Sequence, residues 1–223
     1  MMKESLICLM VLISAGLFAE EPKAKTIIKE DFMSYTAKNY DKLIGILGLS
    51  ETLLKNHFTL YQGYVTNTNK VLDLLAQMQK DGKMGTPEYA ELKRRLGWEF
   101  NGMRLHEYYF ENLGKSDPLK KEGNLMKKMI ADFGSYEAWE KDFKATAGMR
   151  GIGWVILYYD KTGDRLINFW INEHDVSHPV GCKPLLILDV FEHAFMIDFG
   201  LKKADYLEVF FNNINWQEVE KRY

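Results

Sequence analysis

Cysteine is scarce in this 223-residue chain: only Cys8 and Cys182 occur. An imbalance of charge is missing too. Against 29 Lys and Arg stand 31 Asp and Glu, and the formal net charge of −2 gives no electrostatic reason to expect nucleic acid or an anionic membrane as a partner. No internal repeat or low-complexity tract is visible. The apolar run Leu6–Ala19 has 14 residues, short of the roughly 20 that a membrane-spanning helix needs. Histidine is limited to five positions: 57, 106, 174, 178 and 193.

What is present begins with a leader. Lys3 precedes the run Leu6–Ala19, and "EEPKAK" turns polar at once. This is the layout of a secretory signal peptide, with cleavage expected after Ala19 and an uncleaved N-terminal anchor as the alternative. The mature chain is therefore expected to be exported, with 20–38 as an N-terminal extension and no membrane association once the signal is removed. Cys182 would then be alone, either a buried small residue or a reactive or intermolecular thiol. Without an internal disulfide the core must hold the fold unaided. Apolar residues make up 47% of the chain and charged ones 27%, as in an ordinary globular protein.

The periodicity predicts an α+β fold. Ser50 followed by Glu51 reads as the start of a long helix reaching about Gln79. "KDGKMGTPEY" breaks it, and Thr86 with Pro87 opens a second helix toward Gly114. Two long helices joined by a short connection make an antiparallel hairpin, taken as a domain over 39–115. A polar linker follows. A C-terminal domain over 122–223 then has one or two helices broken near Gly134. The segments "GWVILYYD" and "LINFWIN" flank the hairpin signal "KTGDR", and "PLLILDV" is a third strand of an antiparallel sheet. "DYLEVFFNNINWQEVEKRY" closes with helical spacing.

In "LDVFEHAFMIDF", Asp189 and His193 stand four residues apart among apolar neighbours. Such groups are costly to bury unless paired or bound to metal. Nitrogen and carboxylate oxygen together suit iron, manganese or zinc, although Asp–His pairs also occur as plain hydrogen bonds. His106 lies among large apolar residues in "MRLHEYYFENL", where a lone His is more often a hydrogen-bonded core residue than a ligand.

"DVFEHAFMIDF" and the segment after it resemble the C-terminal signature of iron/manganese superoxide dismutases, D-x-W-E-H-A-Y-Y followed by a Tyr-containing helix and Asn-Trp. "HFTLYQGYVTNTN", "HEYYFENL" and "DFGSYEAWEKDFKATAGMRGIGWVIL" match other stretches of that family in order. The resemblance implies one iron or manganese ion per subunit, iron first, between the two domains. His106, Asp189 and His193 match three of its four protein ligands. Tyr64 matches the substrate-gate Tyr, Trp154 an aromatic wall of the pocket, and Glu192 a contact to the partner subunit of a homodimer.

The same resemblance exposes departures. The family has its first ligand His eight residues before the gate Tyr, and here that position is Asn56. Asn56 is expected to face the site, ligating weakly, acting through a water, or leaving the position to solvent. His57 is one residue on, about 100° around a helix, and a local bulge would be needed to bring it in. Gly102 stands where some members carry a Gln against the metal-bound solvent, so His174 in the loop is expected to take that place, the alternative being an exposed loop His beside His178. The family's polar gateway between subunits falls on apolar Leu60 and Met196, which predicts a drier dimer contact. Two functions follow: an exported dismutase converting superoxide to oxygen and hydrogen peroxide, or an impaired relative serving as a metal-binding or interaction protein.

Overall fold

The computed structural model describes residues 34–115 and 117–223. The signal peptide expected at 1–19, and most of the extension expected at 20–38, lie outside them. Helix α1 (Glu51–Lys80) starts where Ser50 accepts a hydrogen bond from Leu53 N, and α2 (Pro87–Glu111) where Thr86 accepts one from Tyr89 N with Pro87 at the first turn. Each cap satisfies an amide that the first turn would leave unpaired. The two helices pack as an antiparallel hairpin, burying Leu53, Leu54, Phe58, Tyr61 and Val65 of α1 with Met103, Leu105, Tyr109 and Phe110 of α2.

Helices α3 (Asn124–Phe133) and α4 (Tyr136–Ala147) follow, separated at Gly134, whose φ is +90°. Ser135 caps α4 through Ala138 N. Strands β1 (Gly153–Asp160), β2 (Arg165–Asn172) and β3 (Cys182–Asp189) form an antiparallel sheet in the order β2-β1-β3. The register sets Trp154 opposite Ile171 on one side and Asp189 on the other. Gly153 is required just before that Trp. Its φ is +149°, and a Cβ there would lie 2.0 Å from the Ile171 carbonyl oxygen.

The chain ends in α5 (Met196–Phe199), α6 (Lys203–Asn212) and α7 (Trp216–Arg222). The closing segment, read as having helical spacing, forms two helices parted before Trp216. Asn215 caps α7 through Glu218 N, and its own amide is taken by the Asn112 carbonyl at the end of α2, so the chain leaves the helix to make that tie. Asn112 also donates to Ile187 O of β3, and Arg222 donates to Asn112 Oδ1 and Leu185 O. These buried bonds fasten α2, β3 and α7 together and so fix the hairpin against the sheet. No helix of the described residues is long and apolar enough to cross a membrane.

Candidate metal centre

Four side chains from four elements of the fold converge. His57 comes from α1, His106 from α2, Asp189 from the last position of β3, and His193 from the short 3-10 turn Glu192–Ala194. One donor atom from each lies within 4.8 Å of all the others. The Asp189 Oδ2 atom is 3.1 Å from His57 Nε2, 3.1 Å from His193 Nε2 and 3.6 Å from His106 Nε2. His57, His106 and Asp189 are buried, while His193 is partly exposed.

Asn56 does not face this cluster. It is exposed, and His57 occupies the position expected of it. Helix α1 runs regularly from Glu51 to Lys80. At about 100° per residue, seven residues fall only about 20° short of two turns, whereas eight overshoot by about 80°. His57 and Tyr64 are seven apart and share a face without any bulge. A spacing of eight would need an extra residue accommodated between them. In this regular helix it is therefore Asn56, expected to face the site, that turns away, and His57 that reaches it.

The donors suit a cation. His106 Nδ1 donates to Gly102 O at 2.5 Å, which aims a lone pair on Nε2 at the cluster, and that Nε2 is buried with no hydrogen-bond partner. Burial lowers His57 and His106, outweighing the pull of Asp189 in the other direction, and so holds both imidazoles neutral. Burial alone would raise Asp189, but His193 and His57 beside it keep the carboxyl far below its usual range. Its Oδ1 accepts from Phe191 N, leaving Oδ2 for the cluster. Neutral nitrogens and one anionic oxygen, with an orphaned lone pair among them, fit a divalent or trivalent ion of the iron or manganese kind.

A second layer orients the first. Tyr206 donates to the Asp189 carbonyl at 2.8 Å and pairs with Tyr109 at 3.0 Å, so α6 and α2 jointly hold the backbone that carries the carboxylate. Rings of Phe110, Tyr109, Trp154 and Phe191 surround the histidines at centroid distances of 4.9–5.2 Å.

His174 is buried between Tyr64 and Trp154 rather than exposed in its loop. The loop closes on itself through paired bonds between Asn172 and Val176, with Glu173 at φ +54°. Trp154 Nε1 can only donate, so His174 Nδ1 accepts from it at 3.0 Å and the ring proton sits on Nε2. That Nε2–H donates to the Tyr64 hydroxyl at 2.7 Å, leaving the hydroxyl its own proton to give. Burial lowers His174 to about 4 and raises Tyr64 to about 12, so both stay neutral across the physiological range. His178 supports the loop from behind, donating to His174 O at 2.9 Å while its Nδ1 accepts from Tyr158. At Gly102 a Cβ would lie 2.5 Å from the Tyr64 ring, so no side chain reaches the site from that position. Glu192 and Met196 are exposed beside His193, and Leu60 is partly buried. Trp98 packs edge-on to His174 at 4.7 Å, a contact that no motif announced. The signal that could have selected His57 was its seven-residue spacing from Tyr64.

Comparison with known proteins identifies the family. The profile of the iron/manganese superoxide dismutases, C-terminal domain, matches residues 121–222. The iron superoxide dismutase of Cupriavidus metallidurans is 37% identical over 187 residues, 80% of this chain and 90% of its own. The manganese superoxide dismutase 2 of Haloferax volcanii is 35% identical over 176 residues, 78% of this chain and 87% of its own. The iron superoxide dismutase of Aquifex pyrophilus is 34% identical over 194 residues, covering 83% and 89%. With four clustered donors and relatives this similar over most of its length, the chain belongs to the iron/manganese superoxide dismutase family.

Proposed function

We propose that this chain is an exported superoxide dismutase that holds one iron or manganese ion on His57, His106, Asp189 and His193. The observation that carries the reading is the meeting of four donor atoms within 4.8 Å, with the buried His106 Nε2 unpartnered among them. Bound iron or manganese supplies one-electron redox chemistry between its +2 and +3 states. Iron is placed first, as in the name of the Cupriavidus metallidurans relative. Two superoxide ions and two protons yield oxygen and hydrogen peroxide, so half of the task is proton supply. Tyr64 and His174 serve there: the imidazole fixes the hydroxyl, and the hydroxyl keeps a proton to donate. Trp154 holds the His174 tautomer and walls the pocket. Export is supported by Lys3 and the apolar run Leu6–Ala19. A homodimer is supported by exposed Glu192, Met196 and Ile197 on one short segment.

The alternative, an impaired metal-binding or interaction protein, rested chiefly on the loss of the first ligand. His57 among the four clustered donors leaves that alternative the apolar pair Leu60 and Met196 as its support.

The test is metal analysis with a dismutase assay on protein beginning at Glu20. Stoichiometric iron or manganese and rapid dismutation are expected. His57→Gln should lose most of both, and Asn56→Ala should keep both. The reverse pattern would reject His57 as a ligand. A fully loaded protein without activity would return the reading to the alternative.

A further inference from the structure

Two side chains in the seam between α1 and α2 carry buried oxygens that nothing satisfies, and neither belongs to the four-donor cluster. Thr68 is fully buried, and its Oγ1 has no partner. Glu99 is 2% exposed; its Oε1 takes Arg95, and its Oε2 has no partner. Leaving such a group unpaired is costly, and more so for a charge. Thr59 and Thr66 on the same helix turn their hydroxyls onto the carbonyls four residues back, at 2.9 and 3.0 Å. Thr68 does not, which leaves its hydroxyl free for another group.

The two oxygens belong to neighbouring layers. Tyr64 lies against Gly102 where the antiparallel helices meet. One turn further along each helix, 68 on α1 comes opposite 98 and 99 on α2. Trp98, the residue before Glu99, packs on His174, the ring that holds the Tyr64 hydroxyl. A carboxylate can only accept and a threonine hydroxyl can do both, so a water between them satisfies both groups. Outward from Glu99, Arg95 reaches solvent with its side chain half exposed.

His174 is closed off by Trp154 at its far nitrogen, so the Tyr64–His174 pair has no outlet on that side. Leu60 and Met196 offer no polar group. We propose that the α1–α2 seam binds a water molecule between Thr68 Oγ1 and Glu99 Oε2, and that this water links the surface pair Arg95–Glu99 to Tyr64 as a path for protons. The proton role rests on the dismutase reading; the water site does not.

A crystal structure of the metal-loaded protein should show a water within hydrogen-bond reach of both oxygens. Thr68→Val, which keeps the shape, should lose that water and keep the metal. The proton-limited phase of turnover after a superoxide pulse should slow several-fold in it, with a larger solvent deuterium isotope effect. Thr68→Ser should restore both, and Glu99→Gln should fall between. A direct Thr68–Glu99 bond without water overturns the site. A Thr68→Val enzyme with parental rate and isotope effect overturns the proton role. Loaded parent protein that shows the water but no dismutation would keep the site, while the dismutase reading and the proton role with it would fall.

Discussion

His174 shows how a single residue gains its role from two neighbours. Trp154 selects the tautomer, and that tautomer points a proton at Tyr64. Burial keeps the ring neutral by lowering it from 6.5 to about 4, and this has a consequence for stability. The unfolded chain takes up its proton near pH 6.5, whereas the folded chain resists until about pH 4, so the unfolded state binds more protons in between. Stability of the metal-free protein should fall as pH drops through that window, by about 3 kcal/mol from this residue alone. The urea midpoint of metal-free protein at pH 4.5 should lie below that at pH 7, and His174→Gln should flatten the difference. Equal midpoints for the parent protein would refute the claim.

At the scale of elements, α1 decides which residue can reach the metal. Its regular winding puts His57 and Tyr64 on one stripe. Inserting one alanine between residues 59 and 60 should rotate His57 by about 100° relative to Tyr64. The variant should stay helical by circular dichroism and bind little iron or manganese; full binding would show that the helix absorbs the insertion as a bulge. Much of this architecture was legible beforehand. Ser50, Thr86 and Pro87 marked the helix starts, and "KTGDR" marked the strand hairpin. His106, Asp189 and His193 were legible as a group because motif and order carry them. His57 was not, because its place depends on the winding of two whole turns, which neighbouring residues do not announce. The Asn112–Arg222 tie was hidden for a similar reason: its members are 110 positions apart and meet only after packing.

For the whole molecule, the exposed apolar side chains near the site matter most. Met196 is 41% exposed, Ile197 50% and Leu201 91%, all beside the turn that carries His193. Scattered apolar exposure is ordinary, but a cluster at one edge marks a contact surface. Light scattering at micromolar concentration should give twice the mass of the mature chain. Ile197→Lys should shift the protein toward monomer, with a dissociation constant raised at least tenfold. A parental protein that is monomeric under those conditions would remove the case for a dimer.

The hydroxyl of Tyr206 has a bearing on the order of assembly. It holds the Asp189 carbonyl from a helix only 17 residues downstream, and Arg222 seals α2 to β3 from the penultimate position of the chain. A chain made from its N-terminus completes the helical hairpin early, yet the hairpin supplies only two of the four donors. The four-donor cluster is therefore not braced until Tyr206 has been made and packed. A chain cut between His193 and Tyr206 would carry all four donors yet lack the hydroxyl that holds Asp189, so the donors and their brace are made separately.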